Sequence, residues 1–187
     1  MNTYVILLRG VNVGGKNKVR MLNLQACLEE VGYSNVLTYI ASGNVIVESD
    51  RSVGVIQAQV EQTLLENFKL DSERIKVLVL TRAQMQAVID DKPAGFGDYP
   101  DTYHSDVIFL MGLDITQAVV VFDPKQGVDT VWAGHGVIYS QRLSALRTKS
   151  RLGIIVGTSA YKSMTIRNWN TTTKLLEILG ELSSKVK

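Results

Sequence analysis

The sequence predicts an α+β protein built from two sequential ferredoxin-like modules (βαββαβ, the α/β plait), with antiparallel sheets and an extra C-terminal helix. Short β-rich apolar runs alternate with stretches of helical period, and each half contains a hairpin turn with glycine, Ser42-Gly43-Asn44 and Gly134-His135-Gly136. The composition agrees with a globular fold, because 45% of the 187 residues are hydrophobic and 20% are charged.

The first module is predicted in the order strand, helix, strand, strand, helix, strand. Its strands fall at residues 4–8, 36–40, 45–47 and 75–80, where β-formers cluster. Leu24, Cys27, Leu28 and Val31 follow helical spacing and predict the first helix, and a second apolar stripe covers residues 53–68.

The second module repeats this order less clearly. A capping box at residues 81–84 begins a short helix, and the loop 92–100, with two prolines and two glycines, is the best domain boundary. The predicted domains are therefore residues 1–92 and 93–187. Strands are expected at 107–111, 130–133, 137–140 and 164–166, with a short helix capped by Asp114, one or two short helices broken near Gly153, and a closing helix over 171–182.

The sequence also indicates where in the cell the protein is located. No apolar run approaches the ~20 residues that cross a bilayer, and residues 1–8 lack the pattern of a signal peptide. A single cysteine cannot form an intrachain disulfide. These features predict a cytoplasmic protein with no membrane partner, and they leave its oligomeric state open.

Charge is unevenly distributed along the chain. Residues 61–129 contain twelve acids, whereas residues 130–176 contain none and carry seven lysines and arginines. The loop 9–20 is also free of acids. A block of one sign attracts ligands of the opposite sign, although a solvated face with counter-charges from elsewhere is an equally acceptable interpretation.

The glycine-rich loop 9–18 is the first candidate site. Gly10, Gly15 and Lys16 satisfy most of a phosphate-binding P-loop, but Asn17 stands where that motif needs Ser or Thr, and a hairpin follows in place of a parallel crossover. A looser anion-binding nest fits better, and a tight loop with no ligand is the alternative. The candidate ligand-binding residues are Arg9, Asn12, Lys16, Asn17 and Lys18.

The beginning of the last helix is the second candidate site. A helix N-terminus favours anions, and Trp169 could stack on a base or sugar. The alternative is a capped helix whose tryptophan lies in the core. The candidate ligand-binding residues here are Arg167, Asn168, Asn170 and Lys174.

No other pattern indicates chemistry. The two histidines and one cysteine show no zinc-ligand spacing, so neither a metal nor a cofactor is predicted. Tyr99, Tyr103 and His104 could act as acid–base groups but are expected on a surface loop, and catalytic residues are not identified.

Three motifs, LLRGVNVGGKNKVRM, YIASGNVIV and YKSMTIRNWNTTTKL, together resemble the bacterial family catalogued as domain of unknown function 1697. The family usually has proline after the KNKV run, where this chain has Arg20. The resemblance implies two ferredoxin-like modules, and it implies no activity, cofactor or catalytic residue.

The leading functional hypothesis is binding of a phosphate-bearing ligand, either a nucleotide or a nucleic acid, by the loop and the last helix together. One alternative is an enzyme that uses the same cations to position a small anionic metabolite. Another is that both motifs are structural and fasten the two modules together, with Arg167 in a buried charge network.

Overall fold

The computed structural model describes the backbone of residues 1–185 and the side chains of residues 1–182. Two four-stranded antiparallel sheets carry the fold, each with the strand order of a ferredoxin-like plait: β2-β3-β1-β4 and β6-β7-β5-β8. The predicted fold class is therefore confirmed. None of the helices formed by these residues is long and apolar enough to span a membrane.

The first sheet is assembled from strands β1 (Asn2–Leu8), β2 (Ser34–Tyr39), β3 (Asn44–Ser49) and β4 (Val77–Thr81). Helices α1 (Met21–Glu30) and α2 (Val53–Asn67) connect them. Alternate residues of β1, including Ile6 and Leu8, join a core cluster with Leu28 of α1 and Val60 of α2. The opposite face is also buried, since Val5 and Leu7 are 0% exposed.

The second sheet contains β5 (Tyr103–Leu110), β6 (Asp129–Ala133), β7 (Val137–Leu143) and β8 (Met164–Asn168). Helix α4 (Ile115–Val119) contributes Ala118 to the core on one face. Three 3₁₀ segments connect β7 to β8, at Ser144–Lys149, Leu152–Gly157 and Ala160–Ser163. The sequence predicts one or two helices broken near Gly153, but Gly153 lies inside the middle segment and the break falls at residues 150–151.

Aromatic rings pack on the other face of the second sheet. Phe96 meets Trp132, Tyr139 and Trp169 edge to face, with ring centroids 5.1–6.0 Å apart. The loop 92–100 supplies Phe96, which is 0% exposed, and the Gly97 N–H donates to Gln141 Oε1 at 3.3 Å. The loop is thus anchored to the second sheet.

The chain forms two compact units whose limits differ from the predicted domains. The first unit comprises Met1–Met85 together with Leu175–Lys187, and the second comprises Gln86–Lys174. The division falls within helix α3 (Arg82–Asp90) and within helix α5 (Trp169–Lys185), whereas the sequence predicts it between residues 92 and 93. Apolar packing explains the difference, because Leu175 and Leu179 are 0% exposed and belong with the first unit. The last two residues of the predicted second domain, 186 and 187, lie outside the described part of the chain.

Candidate functional site

The glycine-rich loop belongs to the first unit and folds into a tight turn. Gly14 and Gly15 have φ values of 58° and 78°, and the Lys16 N–H donates to the carbonyl of Val13 at 3.1 Å. Two successive residues with positive φ are the signature of a type I′ turn, which glycine adopts without strain. The glycines of the motif therefore have a conformational role.

The side chain of Asn12 holds this loop against the backbone. Its Nδ2 donates to the carbonyls of Val19 at 2.8 Å and Ala41 at 2.7 Å, and its Oδ1 accepts from the Val19 N–H at 2.9 Å. The amide is thereby engaged by the protein's own backbone.

Asn17 is bound still more completely and is only 7% exposed. Its Oδ1 accepts from the N–H groups of Asp71 and Ser72, and its Nδ2 donates to the Gly10 carbonyl and to Ser72 Oγ, all at 2.9–3.1 Å. The Asn17 N–H donates to Asp71 Oδ2 at 2.6 Å. One backbone N–H group of the predicted anion-binding loop therefore binds a carboxylate of the protein itself. Lys16 and Lys18 extend into solvent, and Arg9 is half-buried.

The second predicted stretch belongs to the second unit as far as Lys174. Arg167 is 6% exposed, and its guanidinium donates to Thr165 Oγ1 at 2.9 Å and to the Ile166 carbonyl at 2.8 Å. Burial lowers the pKa of Arg167 to about 10. Lys174 is half-buried. Arg167 is thus built into the sheet, away from solvent.

Asn168 ends β8 and caps α5. Its Oδ1 accepts from the Asn170 N–H at 3.0 Å, two residues into the helix, and its Nδ2 donates to the Ser105 carbonyl at 3.2 Å. The side chain of Asn170 is exposed at the helix N-terminus. Trp169 is 8% exposed and packs on Phe96, so it is a core residue and does not present a face for base stacking.

A cavity of about 120 Å³ opens beside this capped helix start. Strand β8 ends at Asn168, opposite Asp106, whereas β5 begins three residues earlier, at Tyr103. The part of β5 that precedes Asp106 and the first turn of α5 therefore form two walls of the cavity, and the loop 92–100 forms a third. The lining residues are Gly97, Pro100, Tyr103, His104, Ser105, Asn168, Trp169 and Asn170.

His104 meets a carboxylate on the same strand face. His104 and Asp106 are two residues apart on β5, so both side chains project to one side of the sheet. The Nε2 atom of His104 lies 3.1 Å from both carboxylate oxygens of Asp106. Asp106 therefore fixes the orientation of the imidazole of His104, a residue that lines the cavity.

Asp106 is flanked by further polar groups on neighbouring strands. Arg142 Nη1 of β7 lies 3.8 Å from its Oδ2, and the Asn168 side chain of β8 also hydrogen-bonds it. Burial raises the pKa of Asp106 above its ordinary value of 3.8, against the opposing charges of His104 and Arg142. The resulting arrangement is a histidine paired with a half-buried carboxylate beside a helix N-terminus, which is suited to holding an anion and transferring a proton.

Sequence reasoning finds Asn168 and Asn170, and it names His104 as a possible acid–base group but places it on a surface loop. It misses Asp106 and Arg142 as members of the site. The sequence predicts that strand β5 begins at residue 107, which leaves His104 in a loop. The alternation of polar and buried residues back to Tyr103 is the available signal, since His104 and Asp106 occupy one face while Ser105 and Val107 are buried on the other.

The chain is similar to a family of proteins and to a protein of solved structure. The family model described as "Protein of unknown function (DUF1697)" matches residues 1–139. A conserved bacterial protein from Streptococcus pneumoniae, of solved structure, is 26% identical, with a TM-score of 0.77 over 95% of this chain and 98% of that one. Among curated proteins, none matches the chain.

The family model covers well over half of the chain, and the solved relative shares the fold along nearly the whole length of both chains. Two of the three motifs that carry the resemblance lie within the matched residues. The chain therefore belongs to the DUF1697 family.

Proposed function

We propose that this protein binds a small phosphate-bearing ligand in the cavity at the start of α5, with the phosphate group seated between Asn170 and His104. The observation that carries the proposal is the composition of the cavity wall: the first turn of a helix, two asparagines and a histidine, with no carboxylate among the lining residues. A helix of seventeen residues carries a partial positive charge at its first turn, which favours an anion there.

The size of the cavity favours a small ligand. Sites for whole drug-sized molecules span roughly 300 Å³ or more, and this cavity of about 120 Å³ accommodates a phosphate group with the rest of the ligand outside. Because Trp169 is buried, base stacking does not contribute at this position. A small phosphorylated metabolite is therefore favoured over a nucleic acid.

The proposed ligand site includes only one of the two stretches predicted from the sequence, the one at the start of the last helix. Asn168 holds the helix start, and Asn170 contacts the ligand. The amides of Asn12 and Asn17 are engaged within the first unit, and Arg167 is buried in the second, so none of these three is assigned a ligand contact. With one cysteine and no disulfide to form, we further propose a cytoplasmic location.

Isothermal titration with inorganic phosphate and a set of small phosphomonoesters at low ionic strength tests the proposal. The wild type should bind saturably, and Asn170→Asp should weaken binding by about tenfold or more, because a carboxylate would then face the anion at the helix start. Asn23→Asp is the matched control, since Asn23 is exposed in the first turn of α1 and its substitution should leave the affinity unchanged.

Two outcomes would contradict the proposal: no phosphate compound binds the wild type, or Asn170→Asp binds as the wild type does. Titration with a single-stranded oligonucleotide separates the alternatives. Steep salt-dependent binding that Asn170→Asp does not affect would place a nucleic-acid surface elsewhere on the protein.

A further inference from the structure

We propose that His104 is the general base of a hydrolytic activity toward small phosphomonoesters bound in the α5 cavity. This inference rests on the proposed function, because it needs the phosphate group seated at the start of α5. The two parts can nevertheless be tested separately, since phosphate binding and ester hydrolysis are different measurements.

The pairing of His104 with Asp106 selects one ring nitrogen for proton transfer. With Nε2 held 3.1 Å from the carboxylate, the neutral imidazole donates its hydrogen to Asp106 and carries its lone pair on Nδ1. His104 lines the cavity and its side chain is 42% exposed, so the ring can meet a water molecule beside the bound phosphate.

Asp106 is a positioning residue in this arrangement. Its side chain is 15% exposed and does not line the cavity, but it contacts the imidazole directly. A carboxylate in that place stabilises the imidazolium that forms after proton uptake. Arg142 on β7, with Nη1 3.8 Å from Oδ2 of Asp106, counters the negative charge of the same carboxylate.

The small volume of the cavity indicates which part of the ligand would react. A phosphoryl group fits beside His104 in a volume of about 120 Å³, so we place the chemistry at phosphorus. The oxygen of a water molecule attacks phosphorus while Nδ1 of His104 accepts its proton, and the bond from phosphorus to the ester oxygen breaks. The departing oxygen then takes the proton from the imidazolium, which gives inorganic phosphate and an alcohol and restores the neutral ring.

Release of nitrophenolate and of inorganic phosphate from p-nitrophenyl phosphate tests this inference. The wild type should release both in equal amounts, and His104→Ala should lose about 100-fold or more of the rate, the usual size of a general-base contribution. Added imidazole should restore part of the His104→Ala rate, because a small base can occupy the vacated space. His135→Ala, the other histidine, exposed in the β6–β7 turn, should behave as the wild type.

The role of Asp106 predicts a separate result. Asp106→Asn should lower kcat while KM changes by no more than about threefold, because the residue acts through His104 and not on the bound ester. Tryptophan emission from Trp132 and Trp169, both in the second unit, verifies that each variant is folded.

The outcomes separate the two proposals. If the wild type binds inorganic phosphate but releases none from esters, or if His104→Ala hydrolyses as fast as the wild type, the hydrolytic inference is wrong and the binding proposal stands. If the wild type binds no phosphate compound at all, both are wrong.

Discussion

At the scale of single residues, a glycine in the loop 92–100 sets the shape of the candidate site. A Cβ atom built on Gly97 would lie 2.3 Å from Nε1 of Trp169, and the backbone there has a φ of 77°. Gly95, two residues earlier, has a similar φ of 80° but open space around its Cβ position. Substituting each glycine in turn therefore separates two free-energy costs, that of the backbone conformation and that of the close approach to Trp169.

Gly97→Ala should therefore destabilise the protein far more than Gly95→Ala. The left-handed conformation costs an alanine about 1–2 kcal/mol at either position, and the clash with Trp169 should add about 1–3 kcal/mol at Gly97 alone. Urea unfolding followed by tryptophan emission measures both. Equal losses for the two variants would show that Trp169 moves aside without cost.

Residue identity alone predicts part of the site. Asn168 is recognisable as a helix cap because Asn at that position has a local partner, the N–H two residues ahead. The pairing of Asp106 with Arg142 depends on the register between β5 and β7, and strand register is not a local property of the sequence. Sequence reasoning therefore finds the helix half of the cavity and names His104, but it does not predict the pairing of His104 with the Asp106 carboxylate.

At the scale of elements, the caps are the most predictable features. The Thr81 N–H donates to Gln84 Oε1 at 2.9 Å and the Gln84 N–H donates to Thr81 Oγ1 at 3.2 Å, which is the capping box expected from the sequence. Asp114 likewise accepts from the Thr116 N–H at 2.8 Å. Each motif closes within three residues, so no tertiary contact is needed to form it.

The region between β7 and β8 is less predictable for a physical reason. Residues 152–157 contain two glycines and three consecutive β-branched residues, which together disfavour an α-helix. The segment contributes Leu152 and Ile155 to the core, and tertiary packing of these two side chains decides its path. Asp129 adds a polar anchor at the start of the segment.

Asp129 connects β6 to this 3₁₀ segment through its carboxylate. Its Oδ2 accepts from the Lys125 N–H at 3.0 Å and from the Arg151 N–H at 2.8 Å. Burial alone would raise the pKa of Asp129, but hydrogen bonds from the Ser150 hydroxyl and from these two backbone groups hold it below the ordinary value of 3.8. The ionised carboxylate therefore stabilises the fold at every pH above 3.8.

This contribution should disappear as the pH falls below 3.8 through the folded-state pKa, because the unfolded chain binds the proton more readily in that range. Asp129→Asn should lower the free energy of unfolding by about 1–3 kcal/mol at pH 7, and the gap to the wild type should narrow as the pH falls below 3.8. Urea titrations at pH 7 and at several pH values below 3.8 measure this gap. Asp101→Asn, at an exposed position, is the control, and a gap that stays constant with pH would refute this account of Asp129.

At the scale of the whole molecule, helix α5 belongs to both compact units. Trp169 at its start packs in the aromatic cluster of the second unit, whereas the helix from Leu175 onward belongs with the first. The sequence predicts the domain boundary in the proline- and glycine-rich loop because composition usually marks linkers. Buried aromatic and aliphatic side chains override that rule here, since Phe96 holds the loop and Leu179 is fully buried.

The stability of the first unit should therefore depend on the last helix of the chain. Leu179→Ala should cost about 2–5 kcal/mol, as expected when a fully buried leucine is truncated, and the loss should appear as faster hydrogen–deuterium exchange in β1 and β3 of the first sheet. Leu22→Ala is the matched control, because Leu22 is 77% exposed on α1 and its truncation should change stability by about 0.5 kcal/mol or less. Faster exchange confined to α5 itself would show that the helix is an appendage and that the first sheet is stable without it.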